Sequence, residues 1–105
     1  MANAIYSVVF KLKKGASTPD FLAAAKKLND EYISKQKGYI SWTQSFDTDK
    51  EIWSDFCTFE TKEDVLLFLE NSSEPNEHAL AFYAFINLPS CRSNIFTVQA
   101  VHSKA

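Results

Sequence analysis

The stretch Ile52–Glu70 reads IWSDFCTFETKEDVLLFLE, and its hydrophobic period changes in the middle. Up to Phe59 the side chains alternate. Trp53, Asp55, Cys57 and Phe59 point one way, Ile52, Ser54, Phe56 and Thr58 the other, in a run rich in aromatic and β-branched residues. Thr61, followed three residues later by Asp64, then resembles a capping box, and VLLFL is a helix-forming run. A strand that passes directly into a capped helix is the joint of an α+β unit.

Working outward, Ala4 to Leu12 reads as a first strand with apolar residues on both faces. Ala4, Tyr6, Val8, Phe10 and Leu12 lie on one side, Ile5 and Val9 on the other, so both faces need cover. After the Lys13-Lys14-Gly15 turn, Thr18-Pro19-Asp20 predicts a helix start with Thr18 as N-cap. Phe21, Ala25, Leu28 and Tyr32 continue that helix as an apolar stripe, widened by Leu22 and Ile33, and Gly38 suits the end of the segment.

Tyr39 to Phe46 predicts a second strand, with Ile40, Trp42 and Phe46 opposed to Tyr39, Ser41, Thr43 and Ser45. Asp47-Thr48-Asp49-Lys50 makes the hairpin into the third strand. The helix opened by Thr61 runs to about Asn71, and a further short helix covers Asn76 to Phe85 with Ala79, Phe82 and Tyr83 apolar. Leu88-Pro89-Ser90 ends that excursion, and Ile95 to His102 is the last strand. The order β-α-β-β-α-(α)-β is ferredoxin-like α+β, with a four-stranded antiparallel sheet in a single domain over residues 1–105. Two helices cover one face of such a sheet. The apolar residues on the other face predict a homodimer whose two sheets enclose a small barrel-like space.

Composition narrows the function. A chain that is 46% hydrophobic and 23% charged folds as an ordinary globular domain. Its aromatic content of 14% is more than a small core readily hides, which points to an interface or a pocket. The net charge of −2, without blocks of one sign, leaves no footprint for nucleic acid. The opening MANAIYSVVF has no charged leader and no apolar run is long enough for a membrane span, so a cytoplasmic protein is expected. Cys57 and Cys91 lack C-x-x-C or metal-ligand spacing and read as reduced, mostly buried thiols. With two glycines there is no phosphate-binding loop, and no cofactor-binding motif is present, so no cofactor is expected.

Asp55 is the residue of most chemical interest. Between Trp53 and Cys57 on one face of a central strand, a carboxylate in an apolar cleft has a raised pKa and could act as general base on a phenol or enol. The alternative is a structural acceptor paired with a backbone N–H, with Arg92 or with a partner lysine. Trp42, Trp53 and Phe82 could wall a pocket for a flat ligand or serve as packing anchors, and Tyr83 could offer its phenol at the cleft mouth. His102, close to the end of the sequence, reads as solvated.

The segment GYISWTQSFDTDKEIWSDFCTFETKEDV, Gly38 to Val65, resembles the antibiotic-biosynthesis-monooxygenase-like (ABM) domains of the dimeric α/β-barrel superfamily, closest to their uncharacterised small members. That resemblance implies a homodimer and one of three activities. The first is cofactor-independent oxygenation of a small aromatic or enolisable molecule in the sheet-face cleft, with Asp55 as base. The second is non-catalytic small-molecule binding or a stress-related role in the same cleft. In the third, haem binding or degradation, the haem-ligating His of the relatives falls at His78, a candidate catalytic residue that otherwise reads as a solvated surface histidine, but their helix Trp is Phe68 here and their first-strand Asn is absent near Ser7-Val8.

Overall fold

The structure, a computed structural model, describes residues 2–74 and 76–105. Strand β1 (Ala4–Leu12) leads to helix α1 (Thr18–Glu31) and a single 3₁₀ turn at Ile33–Lys35. Strands β2 (Tyr39–Asp47) and β3 (Ile52–Phe59) form the hairpin, followed by α2 (Lys62–Asn71), α3 (Glu77–Tyr83) and β4 (Ile86–Thr97). The four strands lie in the order β2-β3-β1-β4, with β1 and β3 central and every pairing antiparallel. This is the ferredoxin-like sheet expected from the element order.

Register fixes which residues share a face. Val8 opposes Asp55 and Tyr6 opposes Cys57 across β1 and β3, while Trp42 opposes Cys57 and Gln44 opposes Asp55 across β2 and β3. These residues face the helices. Phe10 meets Phe21 of α1 edge-on at 5.9 Å, Tyr6 meets Phe68 of α2 at 6.3 Å, and Trp42 meets Phe82 of α3 at 5.4 Å. Phe21 has no exposed surface and also packs on Trp53, Phe82 and Phe85, so a single ring ties β1, β3 and α3 to α1. On the opposite, helix-free face Ile5 and Val9 alternate with Ser7, and Phe56 and Phe96 are 44% and 53% exposed.

Four local expectations are corrected. The N-cap of α1 is Ser17, not Thr18: Ser17 is extended and its hydroxyl accepts from the Asp20 N–H, while Thr18 is already helical. In β2 a bulge between Tyr39 and Ser41 skips Ile40 and turns Tyr39 to the helix face. There Tyr39 packs edge-on against Phe59 at 6.1 Å and donates to Asn29 Oδ1 at 2.6 Å. Helix α3 ends at Tyr83, with Asn76 as its N-cap, and Phe85 lies outside it.

The largest departure is β4. It starts at Ile86, runs through Leu88-Pro89-Ser90 and ends at Thr97, short of the expected His102. Proline is tolerated because β4 is an edge strand and Pro89 falls where the ladder to β1 is interrupted. The register slips opposite Val9 to Lys11, and the Ser90 hydroxyl accepts from the Lys11 N–H at 2.8 Å, filling the gap in the ladder.

Gly38 joins the 3₁₀ turn to β2 at φ +79°, and its carbonyl accepts from the Glu60 N–H at 2.8 Å. A Cβ there would collide with the buried side chain of Asp64 at the start of α2, whereas Gly15, at φ +80°, has open space around it. Gly15→Ala therefore carries only the left-handed conformational cost of about 1 kcal/mol. Gly38→Ala adds displacement of Asp64 and should lose about 2 kcal/mol more. Urea unfolding of the two variants checks this, and equal losses would refute the close approach.

Candidate functional site

Between the helix-covered face of the sheet and the three helices lies a cavity of about 200 Å³. It is somewhat larger than the roughly 150 Å³ apolar cavity that takes up benzene. Each wall follows from the fold. Strand alternation aims Tyr6, Val8 and Phe10 from β1 and Asp55 and Cys57 from β3 into it. Helix α1 and the 3₁₀ turn contribute Leu28 and Ile33, α2 contributes Phe68, and α3 contributes Phe82 and Tyr83. Ile86, Leu88, Cys91 and Ser93 of β4 close the side.

Asp55 is the one carboxylate in this lining and is 7% exposed. The Gln44 amide donates to its Oδ1 at 3.4 Å, a long bond. Burial pushes its pKa from 3.8 up to about 7, outweighing the Gln44 amide and the Trp42 indole N–H, which favour the ionised form. Arg92, an alternative partner for Asp55, is committed elsewhere: its guanidinium donates to the carbonyls of Pro89 and Cys91 at 3.0 and 2.8 Å. Arg92 opposes Val9, on the face away from Asp55. Among the described residues Asp55 has no ion-pair partner.

Nearby groups are kept neutral. Burial and the Asp55 charge push the Cys57 thiol up to about 12. Burial raises Tyr83, Cys91 and Tyr6 as well. A carboxyl poised near neutrality among uncharged aromatic walls can take a proton from a weakly acidic molecule without a strong base being held inside the fold.

The structure brings Asp55, Trp42, Phe82 and Tyr83 together around the cavity. It does not bring Trp53 or His78 there. Trp53 sits one step further along β3, between Phe21 and Phe46 at 5.0 Å from each, as a core anchor. His78 is in the first turn of α3, with Nε2 3.8 Å from Glu77, outside the lining. His102 lies in the irregular stretch after β4 and is exposed. The cavity is under the helices, not on the face expected to meet a second sheet, because Asp55 shares its face with Tyr6 and Val8.

Tyr6, Phe68, Cys91 and Ser93 also line the cavity and Gln44 braces Asp55, five residues that sequence pattern alone does not mark as site residues. The β1 alternation could have placed Tyr6 beside the cavity. Cys91 and Ser93 were hidden because Pro89 concealed the start of β4.

No family model and no curated protein matches the sequence. Solved structures do match it in shape. SnoaB from Streptomyces nogalater, a cofactor-independent oxygenase, superposes with a TM-score of 0.74 at 14% identity over 99% of this chain and 100% of its own. The ActVA-Orf6 monooxygenase of Streptomyces coelicolor, solved with nanaomycin D, gives 0.68 at 11% identity over 99% and 94%. A dimeric ferredoxin-like protein from an uncultured marine organism gives 0.66 at 13% identity over 100% and 95%. The chain shares the ferredoxin-like fold of these structures.

Proposed function

We propose that the protein belongs to the ABM-type oxygenases and oxidises a small aromatic or enolisable molecule in the cavity, using dioxygen directly. The observation that carries this reading is a lone, buried Asp55 with its pKa near neutrality inside an aromatic cavity. Support comes from the shared fold with SnoaB, described as a cofactor-independent oxygenase. Asp55 takes a proton from an activated CH₂ group of the substrate. The carbanion delivers an electron to dioxygen, the two radicals combine, and the peroxide takes a proton back. Loss of water leaves a carbonyl, so that CH₂ and O₂ become C=O and H₂O. Trp42, Phe82 and Tyr83 hold the ring, and the Gln44 amide steadies Asp55.

Non-catalytic binding of the same class of molecule would use the same walls without the proton transfer. Asp55→Asn separates the two. On a substrate whose turnover is found by dioxygen uptake, the variant should lose roughly 100-fold or more in kcat with a smaller change in KM. Unchanged kcat would remove Asp55 from the base role.

Stability gives an independent check. The folded state holds the Asp55 proton more tightly than the unfolded chain, so stability falls as pH rises from about 4 to about 7 and stays lowered above that. Asn mimics the protonated acid. Asp55→Asn should therefore melt several degrees above the parent at about pH 8, with the two converging below about pH 4. A variant that melts lower at every pH would indicate a structural acceptor instead.

The helix-free face supports a homodimer, with Phe56 and Phe96 exposed beside Ile5 and Val9. Phe56→Glu should convert a dimer into a monomer in light scattering while leaving the helix signal intact. A parent that is itself monomeric would refute the second copy.

A further inference from the structure

The cavity wall has one carboxylate and, among the described residues, no Lys, Arg or His. From this distribution and the shape of the cavity we infer that the site selects by charge. It takes an uncharged molecule of one or two rings carrying an O–H or N–H donor, and rejects the same ring system bearing a carboxylate. The inference deepens the proposed function, since it rests on reading the cavity as the ligand site.

The cavity is polarised along its length. Asp55 and Cys57 are 7% and 5% exposed, at the closed end against the sheet. Tyr83 and Leu88 are 38% and 56% exposed and mark the mouth, where α3 passes into β4. The Trp42–Phe82 and Tyr6–Phe68 pairs, packed at 5.4 and 6.3 Å, offer a ring entering there two aromatic surfaces. Its leading group meets a carboxylate acceptor with one of its oxygens already bonded to Gln44. A donor is satisfied at that point. An anion meets like charge and no cation, with water stripped from both groups. The nearest guanidinium, that of Arg92, is tied to the Pro89 and Cys91 carbonyls.

Size sets the second limit. At about 200 Å³ the space exceeds the roughly 150 Å³ that accepts benzene by room for about one further small ring.

Because the repulsion depends on Asp55 being ionised, selectivity depends on pH. The titratable groups facing Asp55 are Cys57 on its own strand, Tyr6 on β1, Cys91 on β4 and Tyr83 on α3, and all four are raised. Asp55 is the group that changes charge near neutrality.

The test is calorimetric titration of the full chain with 2-naphthol and 2-naphthoate, two bicyclic probes of nearly equal size, at about pH 6 and about pH 8. At the higher pH naphthol should bind at least about tenfold more tightly than naphthoate. The ratio should shrink at the lower pH, where Asp55 is protonated, and in Asp55→Asn it should be small and the same at both pH values. Equal affinities for the parent at about pH 8, or an unchanged ratio in Asp55→Asn, would overturn charge selection. Binding of neither probe would overturn the size assignment. Dioxygen uptake distinguishes this failure from that of the proposed function. Naphthol selectivity without uptake on any enolisable ring compound leaves charge selection standing and removes the oxygenase reading; uptake with the opposite selectivity does the reverse.

Discussion

Phe21 is the side chain on which the rest of the architecture depends. Placed in the first turn of α1 by the Ser17 cap, it meets Phe10, Trp53, Phe82 and Phe85 within ring-packing distance. Aromatic pairs of this kind add to the area they bury, and their preferred edge-on geometry limits how the elements can rotate. With α1 pinned at this end, α3 is held against the sheet at Phe82. The space left further along, below Phe68 and Tyr83, is the cavity.

That arrangement explains how a carboxylate can be buried on a central strand with one weak partner. Ionising it costs solvation energy, and the fold answers by keeping the proton on over most of the acidic range. The Gln44 and Trp42 donors offset the cost without abolishing it. A shorter bond or an arginine would have made Asp55 a permanent anion and removed its capacity to exchange a proton near neutrality. The same weak pairing leaves its acceptor capacity open to whatever enters from the Tyr83 side.

Much of the fold was legible because strong local signals agreed. Thr61 caps α2 through the Asp64 N–H, Asp47 closes the hairpin through the Asp49 and Lys50 N–H groups, and the β3 alternation appears unchanged in the burial pattern. Where sequence and structure differ, a single residue carries a misleading signal. Pro89 reads as a breaker, but it falls where the ladder of an edge strand is interrupted, so β4 begins earlier than its sequence suggested. Strict alternation fails at Ile40, because a bulge is set by backbone pairing that side-chain pattern does not report. The site was half legible for a related reason. Asp55, Trp42, Phe82 and Tyr83 announce themselves by type and spacing, whereas the exclusion of Trp53 and His78 depends on where the helices end.

The bulged, proline-bearing edge has a consequence for how copies of this chain can meet. An exposed strand edge is a template for another strand, and such edges seed unwanted assembly. At β4 the template is broken: Pro89 offers no N–H, Ser90 turns its hydroxyl inward to Lys11, and the Arg92 guanidinium occupies two carbonyls of the same strand. Continuous sheet growth through that side is hindered by the missing Pro89 N–H and by carbonyls already occupied by Arg92. A strand added along β4 would find its ladder interrupted over the Pro89–Arg92 stretch.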